Sequence, residues 1–328
     1  MTEVRTDRTL SREGQAPSRP GAPAGEVRGP KWTKMAKRDA LAAYGFLGPW
    51  ILGLLAITAF PILASLYLSF TNYSAGGTPD WIGLGNYQRM LEDPRFWKSL
   101  QVTATYVLVS VPVLLGFALL LAVALNTGLR LMPLYRSAYY LPSLLGGSVA
   151  LAVLWRRLFA QEGLVNDVLG WIGVVGPAWL SDPALALIPL MVLNVTTFGA
   201  PMVIFLAALR QVPQELYDAA AVDGAGAPRK FWSITLPQIS PVVLFNAVIT
   251  LIGAFQAFTS AYIVSGGTGG PVDSTLFYTL YLYQTGFNYF DFGYASALAW
   301  VLLVIIAAVT ASTFIGSRRF VFYGGDSR

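Results

Sequence analysis

Six long runs of apolar residues, separated by polar segments, dominate the hydrophobic pattern of the chain. They lie at residues 41–70, 101–125, 138–160, 184–209, 240–264 and 295–316. Each run can supply the ~20 residues that an α-helix needs to cross ~30 Å of hydrocarbon, and each is too long for a barrel strand of ~10 residues. The pattern therefore predicts an all-α integral membrane protein with six transmembrane helices.

The first run is too long for the apolar core of a signal peptide, and no small-residue cleavage site follows it. We therefore expect a permanent first helix. Proline removes a backbone donor and distorts a helix, so we expect this helix to be bent or broken near Pro49 and Pro61.

The composition agrees with a membrane protein and narrows the chemistry. Of the 328 residues, 55% are hydrophobic and 12% are charged, and the mean hydropathy is +0.56. Globular soluble domains carry roughly 25% charged residues. The chain has no Cys and no His, which removes thiolate nucleophiles, the commonest general base and the commonest metal ligand. We expect no enzyme activity of its own, no catalytic residue, no metal site and no cofactor.

Basic residues are distributed unevenly between the two predicted sides of the membrane. Seventeen of the 22 Lys and Arg residues lie on one side, nine of them in the N-terminal tail. Because basic residues accumulate on the cytoplasmic side, we predict that both termini are cytoplasmic. The predicted domains are a disordered basic tail at 1–40, a transmembrane domain at 41–318 and a C-terminal tail at 319–328. Topology and anionic lipid account for the net charge of +5 without nucleic acid.

The polar segment at 211–237, between the fourth and fifth runs, has the pattern of two short helices joined by a turn. Pro213 suits a first helical turn, and Gly224 suits the left-handed residue that ends a helix. Pro228 then opens a second helix. The residues singled out in this segment are Glu215, Asp218, Ala219, Ala220, Asp223, Gly224, Ala225, Phe231 and Pro237. The alternative is an ordinary amphipathic connector.

This segment resembles the cytoplasmic coupling loop of ATP-binding-cassette importer permeases, on the sequence DAAAVDGA at residues 218–225. Asp218 stands where that family has Glu. The resemblance implies that these residues contact the subunit that hydrolyses ATP. It extends to IGLGNY at 82–87 and FGYASA at 292–297, which are similar to the carbohydrate-uptake, maltose-transporter-like subgroup.

The family implies a set of partners as well as a fold. We expect a second homologous permease, two cytoplasmic ATPase subunits that bind the ATP, an extracytoplasmic solute-binding protein and a sugar substrate. The expected location is the bacterial inner membrane, in contact with membrane lipid. Alternatives are a permease for another neutral solute or for a glycerol phosphate ester, or, from a different class, a secondary carrier or channel.

One face of the fifth run carries small and polar residues that suggest a substrate path. Thr250, Gly253 and Ala257 recur at helical spacing, and Ala254 and Gln256 flank them. By resemblance, Thr197 of the fourth run joins this path. Small polar residues also serve simply to pack membrane helices together, which is the alternative interpretation.

Charged residues are almost absent from the six runs. They contain no Asp, Glu or Lys, and their only arginines, Arg156 and Arg157, lie near one end of the third run. Secondary carriers place ionisable residues in the middle of the membrane. The pattern therefore favours a neutral, hydroxyl-rich solute. The Gly-rich stretch at 266–270 is followed by Pro271 and not by the Lys of a phosphate-binding loop.

Overall fold

The computed structural model describes residues 34–126, 132–144, 146–318 and 321. These residues are helical or irregular, and extended pairing among them is limited to two isolated bridges, Thr71 with Trp81 and Ser74 with Asp291. The described chain divides into two compact units, one ending at Ala59 and one beginning at Phe60. The all-α fold class predicted from the sequence is confirmed.

The first unit contains helix α1 (Lys34–Gly53) and a π-helical turn, Leu54–Ala59. Helix α1 begins inside the segment predicted to be a disordered tail, so the expected boundary at residue 40 falls within a helix. Residues 34–43 are mostly Lys, Arg, Met and Ala, which are strong helix formers. The irregular turn follows Pro49. The tail residues 1–33 lie outside the described part of the chain.

The second unit holds the remaining helices and two further π-helical turns. These turns are Phe231–Thr235, between α11 and α12, and Gln284–Asn288, directly after α14. The helices are α2 (Phe60–Leu68), α3 (Gly85–Glu92), α4 (Pro94–Ala124), α5 (Met132–Leu144), α6 (Val149–Leu158), α7 (Leu164–Trp171), α8 (Leu187–Val195), α9 (Gly199–Leu209), α10 (Gln214–Val222), α11 (Ala227–Lys230), α12 (Leu236–Phe255), α13 (Thr259–Val264), α14 (Tyr278–Tyr283) and α15 (Phe292–Ser317). The predicted C-terminal tail at 319–328 lies outside the described residues except for Val321.

Four described helical stretches are long and apolar enough to span a membrane: Ala42–Leu68, Pro94–Ala124, Ala227–Val264 and Phe292–Ser317. Helices α8 and α9 form a fifth candidate, bent by 41°. The third apolar run differs from the prediction. It is divided into α5, of 13 residues, and α6, of 10 residues, each too short to cross a bilayer alone.

Helix α4 is the centre of the second unit. Its buried face includes Tyr106, Leu114 and Ala118, and it packs against α8, α9, α12 and α14. A polar contact fixes one of these interfaces, because Asn194 Nδ2 in α8 donates to Ser110 Oγ in α4 at 3.0 Å. The long axis of α4 thus positions the bent fourth run beside the fifth.

Helix α15 packs closely on the segment that begins at α2. Trp300 Nε1 donates to Ser65 Oγ at 3.2 Å. At Gly293 the backbone of Thr71 comes so near that a Cβ atom would lie 2.2 Å from the Thr71 carbonyl oxygen. Only glycine permits this approach, which fixes the start of α15.

Candidate functional site

The segment between α9 and α12 forms two short helices joined by a tight turn. Pro213 immediately precedes α10 with an extended ψ of 131°, so it lies one residue before the helical turn in which the sequence placed it. Gly224 has a φ of +72°, in the left-handed region predicted for it. Pro228 lies in the first turn of α11, as predicted.

The turn after α10 is closed by two backbone hydrogen bonds of the Schellman type. The N–H of Ala225 donates to the carbonyl of Ala220 at 2.9 Å, and the N–H of Gly224 donates to the carbonyl of Ala221 at 3.1 Å. A Cβ atom at Gly224 would meet no atom within 4 Å. The left-handed backbone, and not a lack of space, is therefore what requires glycine here.

Helix α10 is exposed along most of its length, with no buried residue between Gln214 and Val222. Val222 is 89% exposed. Asp218 accepts a hydrogen bond from Gln214 Nε2 at 3.2 Å within the same helix. Among the residues singled out from the sequence, Glu215, Asp218, Ala219, Asp223 and Gly224 are exposed, and Ala220, Ala225, Phe231 and Pro237 are half-buried. The helix thus presents carboxylates and small side chains outward.

Helix α11 runs without a break through the π-helical turn Phe231–Thr235 into α12. Pro237 falls in the first turn of α12, where its missing N–H is tolerated. The hydroxyls of Tyr217 and Thr235 are hydrogen-bonded at 2.9 Å. Helix α10 is therefore tied directly to the base of a continuous helix that reaches across the bundle.

A second feature is a polar cavity of about 250 Å³ inside the bundle. Three apolar runs are interrupted at its wall, at residues 146–148, at 196–198 and at 256–258. Non-helical backbone at membrane depth is tolerated where it lines a cavity or is buried in protein. Broken helices that meet at one cavity are typical of substrate sites in transporters.

The predicted path residues divide into two groups. Thr197, Gln256 and Ala257 line the cavity. Thr250, Gly253 and Ala254 do not: Gly253 is exposed on α12, Thr250 is half-buried, and Ala254 packs in the core with 4% exposure. For both groups, a role in the substrate path therefore stays a prediction.

Several lining residues were not among the predicted path residues, notably Tyr106, Gly146, Gly147 and Ser148. The pair Gly146-Gly147 in the middle of an apolar run was the signal that could have indicated a broken helix. Of the two phenylalanines beside the break in the fifth run, Phe255 is buried with 6% exposure and Phe258 lines the cavity.

The polar atoms of the cavity wall are held by short hydrogen bonds. Thr197 Oγ1 donates to the Asn194 carbonyl at 2.7 Å, and Thr279 Oγ1 donates to the Ala257 carbonyl at 2.5 Å. Because the hydroxyl protons are used within the protein, the oxygen lone pair of Thr197 remains as an acceptor for a solute hydroxyl.

A network of charged and hydroxyl groups closes the end of the unit at which α4 and α15 begin. Arg95 makes a bidentate contact with Asp273, with both N–O distances at 3.1 Å, and Arg89 pairs with Asp291 at 2.6 Å. Asp93 accepts hydrogen bonds from the hydroxyls of Tyr281 and Tyr294. We call this set (Arg89, Asp93, Arg95, Asp273, Tyr281, Asp291 and Tyr294) the polar network.

Burial by itself raises the pKa of Asp93. The hydrogen bonds from Tyr281 and Tyr294, together with backbone N–H groups, outweigh it, and the pKa of Asp93 lies below its ordinary value. The carboxylate is therefore the charged acceptor around which the polar network is organised.

Comparison with known proteins places this geometry in context. A family model described as "Binding-protein-dependent transport system inner membrane component" matches residues 82–321. The chain is 47% identical over 295 residues to the probable ABC transporter permease protein YesP of Bacillus subtilis, covering 89% of this chain and 96% of YesP. It is 35% identical over 281 residues to the lactose transport system permease protein LacF of Rhizobium radiobacter, covering 84% and 93%.

The fold is also found in a solved structure. The chain superposes on a chain of the bacterial alginate ABC transporter crystallised with an alginate pentasaccharide-bound periplasmic protein, with a TM-score of 0.74 and 23% identity. The superposition covers 87% of this chain and 96% of that one. A likeness at this level of identity concerns the arrangement of helices alone.

Proposed function

The chain belongs to the family of binding-protein-dependent transport system inner membrane components, and from that premise we propose that it is the membrane-spanning permease subunit of an ATP-driven oligosaccharide importer. Relatives named for the transport of lactose and of arabinooligosaccharides support a saccharide substrate. The single observation that carries the proposal is the convergence of three helix breaks on one polar cavity.

We propose that the importer has a second homologous permease, two ATPase subunits and a solute-binding protein as further components. The orientation follows from the distribution of basic residues. With both termini cytoplasmic, the pair α10 and α11 also lies in the cytoplasm of a bacterial cell, where ATP is available. The polar network then lies at the extracytoplasmic end, because the 20 residues of α12 span about 30 Å between the two ends.

Helix α10 is proposed to dock into the ATPase. The exposed carboxylates of Asp218 and Asp223 would meet basic groups on that partner, and Ala219 allows a close approach. Closure of the two ATPases on ATP would displace α10, and the link between Tyr217 and Thr235 would pass the displacement to α12. This sequence of contacts couples hydrolysis to opening of the cavity.

The substrate path is proposed to run through the cavity and along the exposed face of α12. Thr197, Gln256 and Ala257 would contact the saccharide at the cavity. Thr250 and Gly253 would face the second permease, which would complete the path. Ala254 is buried beneath this face and supports it by packing.

The test is uptake of radiolabelled saccharide into proteoliposomes that contain the complete importer in a known orientation. Lactose and arabinooligosaccharides are the first probes, since relatives are named for them. We expect uptake to require both ATP and the solute-binding protein. Uptake driven by a proton or sodium gradient without ATP would contradict the proposal and favour a secondary carrier.

A further inference from the structure

Two arginines at the end of α6 line cavities beyond the central one. Arg156 lines a cavity of about 430 Å³ together with Gln161, Ser181 and Ser265. Arg156 and Arg157 both line a neighbouring cavity of about 370 Å³. Sites for small molecules occupy roughly 300–1,000 Å³, so each cavity is large enough for a sugar unit.

The larger of these cavities lies one helical turn from the central cavity along the same two helices. Ala152 lines the central cavity and Arg156 lines the outer one, four residues later in α6. Ser260 and Val264 show the same relation in α13. Residues four apart lie on one face of a helix, about 6 Å along its axis. A solute leaving the outer cavity would therefore reach the central one within a single helical turn.

The charge of this outer cavity is not balanced by any described carboxylate. At the same end of the bundle, Arg89 and Arg95 are each paired with an aspartate. Among the described residues, no carboxylate lies within ion-pairing distance of Arg156 or Arg157. Glu162 and Asp182, although close in sequence, line neither cavity.

The exposed guanidinium of Arg156 makes one long hydrogen bond within the described part of the chain, so most of its donors stay available. Nη1 lies 3.5 Å from the Ile263 carbonyl oxygen, at the limit of a hydrogen bond. Gly266, with a φ of +67°, lies beside the guanidinium, and a Cβ atom there would be 4.0 Å from both Nη atoms. A planar guanidinium binds a carboxylate with two parallel hydrogen bonds.

We propose that the cavity around Arg156 is an outer subsite for the carboxylate of an acidic saccharide, with the side-chain amide of Gln161 placed to hydrogen-bond a sugar hydroxyl. This subsite adds a substrate class to the proposed function. The direction in which the saccharide moves through it rests on that proposed function. It also revises the expectation of a neutral solute, which considered only the middle of the spans. The acid group is recognised at the water-exposed end of the path, where a charge costs little.

Two other roles for Arg156 are the outcomes against which the proposal is tested. A cation in the last turn of a helix interacts favourably with the helix dipole without any ligand. An arginine at the membrane surface also binds lipid phosphate. Neither role discriminates an acidic sugar from a neutral one.

The experiment uses a single thiol, because the chain has no Cys. Ser181→Cys places it on the exposed wall of the outer cavity. In the assembled importer in phosphatidylcholine nanodiscs, the rate of reaction with N-ethylmaleimide is measured with glucuronate or with glucose, at ionic strength matched with sodium chloride. We expect glucuronate to slow labelling roughly fivefold and glucose to leave it unchanged.

Substitutions of the two arginines then assign the effect. Arg156→Gln, added to Ser181→Cys, should abolish protection by glucuronate. Arg157→Gln is the matched control, because Arg157 lines only the smaller cavity, and most of the protection should remain. Both side chains are exposed, so neither substitution disturbs the core.

Equal slowing by glucose and glucuronate, or protection that survives Arg156→Gln, would overturn the proposal. So would full blocking of the thiol by phosphatidylglycerol nanodiscs with no further effect of glucuronate, since that result identifies a lipid site. None of these measurements requires transport. Their failure would therefore leave the ATP-dependent importer standing, and uptake assays test that separately.

Discussion

The two ends of the helical bundle are held together in different ways. At the end with the polar network, charged groups join residues far apart in sequence, as in the contact between Arg95 and Asp273. At the end with α10, one hydroxyl pair, Tyr217 with Thr235, joins the protruding helix to the span. Val222, an apolar side chain, is left 89% exposed there.

The difference indicates at which end the polar and apolar groups find their partners within the single chain. The polar network satisfies its own charges and holds α3, α4, α14 and α15 in a fixed relation. Helix α10 exposes apolar and acidic side chains that no other described residue covers. We infer that the end with the polar network is a rigid frame and that another subunit covers the exposed surface of α10.

The largest expected effect on uptake comes from blocking the proposed substrate path while both ends of the bundle stay intact. Gly253→Trp places a large ring on the exposed face of α12, where a Cβ atom meets nothing within 4 Å in this chain. We expect saccharide uptake to be lost while ATP hydrolysis by the assembled importer persists. Gly116→Trp is the control, because Gly116 is equally exposed on α4. Normal uptake by the Gly253 variant would place the path elsewhere.

The next effect concerns the turn at the α10 end. Gly224→Val forces a β-branched residue to a φ of +72°, which costs about 1–2 kcal/mol. We expect ATPase association, measured by co-purification, and uptake to fall by roughly tenfold while membrane insertion survives.

Gly226→Val is the control for that turn, since Gly226 has an ordinary φ of −70° and a Cβ atom there approaches only Pro228 Cδ, at 3.9 Å. Equal behaviour of the two variants would show that the left-handed turn is not needed.

At the opposite end, Asp93→Asn removes the charged acceptor of two tyrosine hydroxyls. Hydrogen bonds to charged groups contribute about 1.5–3 kcal/mol, reduced here because Asp93 is only partly buried. We expect a lower Tm of the solubilised protein with ATPase association unchanged. Asp80→Asn, at an exposed carboxylate, is the control.

The same carboxylate gives a pH dependence with a definite sign. Because the pKa of Asp93 is lowered in the folded protein, its contribution to stability is present above the ordinary carboxyl pKa and is lost as pH falls through the lowered value. Thermal unfolding of Asp93→Asn should therefore be less sensitive to acid than that of the parent. Identical acid profiles would contradict the role of Asp93.

The smallest expected effect is the loss of one docking charge. Asp218→Ala removes an exposed carboxylate, and we expect roughly fivefold weaker binding of the ATPase, in keeping with one exposed ion pair. Asp218→Glu should bind normally. Titration of detergent-solubilised permease with the purified ATPase measures both, and unchanged binding by Asp218→Ala would assign docking to other residues of α10.

The sequence predicts local structure correctly where the residues that determine it lie close together along the chain. The turn at Gly224 and the helix begun at Pro228 follow from residues within a short segment, and both were predicted. The breaks near Gly146 and Gln256 were not, because long apolar runs look alike whether or not a helix is interrupted within them.

The polar network could not be predicted for a related reason. Arg95 and Asp273 are separated by 178 positions, and Asp93 and Tyr294 by 201. No periodicity or motif in the sequence connects such residues. Only the packing of α14 against α4, and of α15 against α3 and α14, brings them together.

The most direct test of the difference between the ends is the accessibility of single thiols in this cysteine-free chain. An impermeant maleimide on intact cells should label Ser74→Cys and Val272→Cys, which are exposed at the network end, and spare Ala219→Cys on α10. In inside-out vesicles Ala219→Cys should react, and added ATPase subunit should block it. Labelling of Ala219→Cys on intact cells, or no protection by the ATPase, would contradict the assignment of the α10 end as the cytoplasmic docking surface.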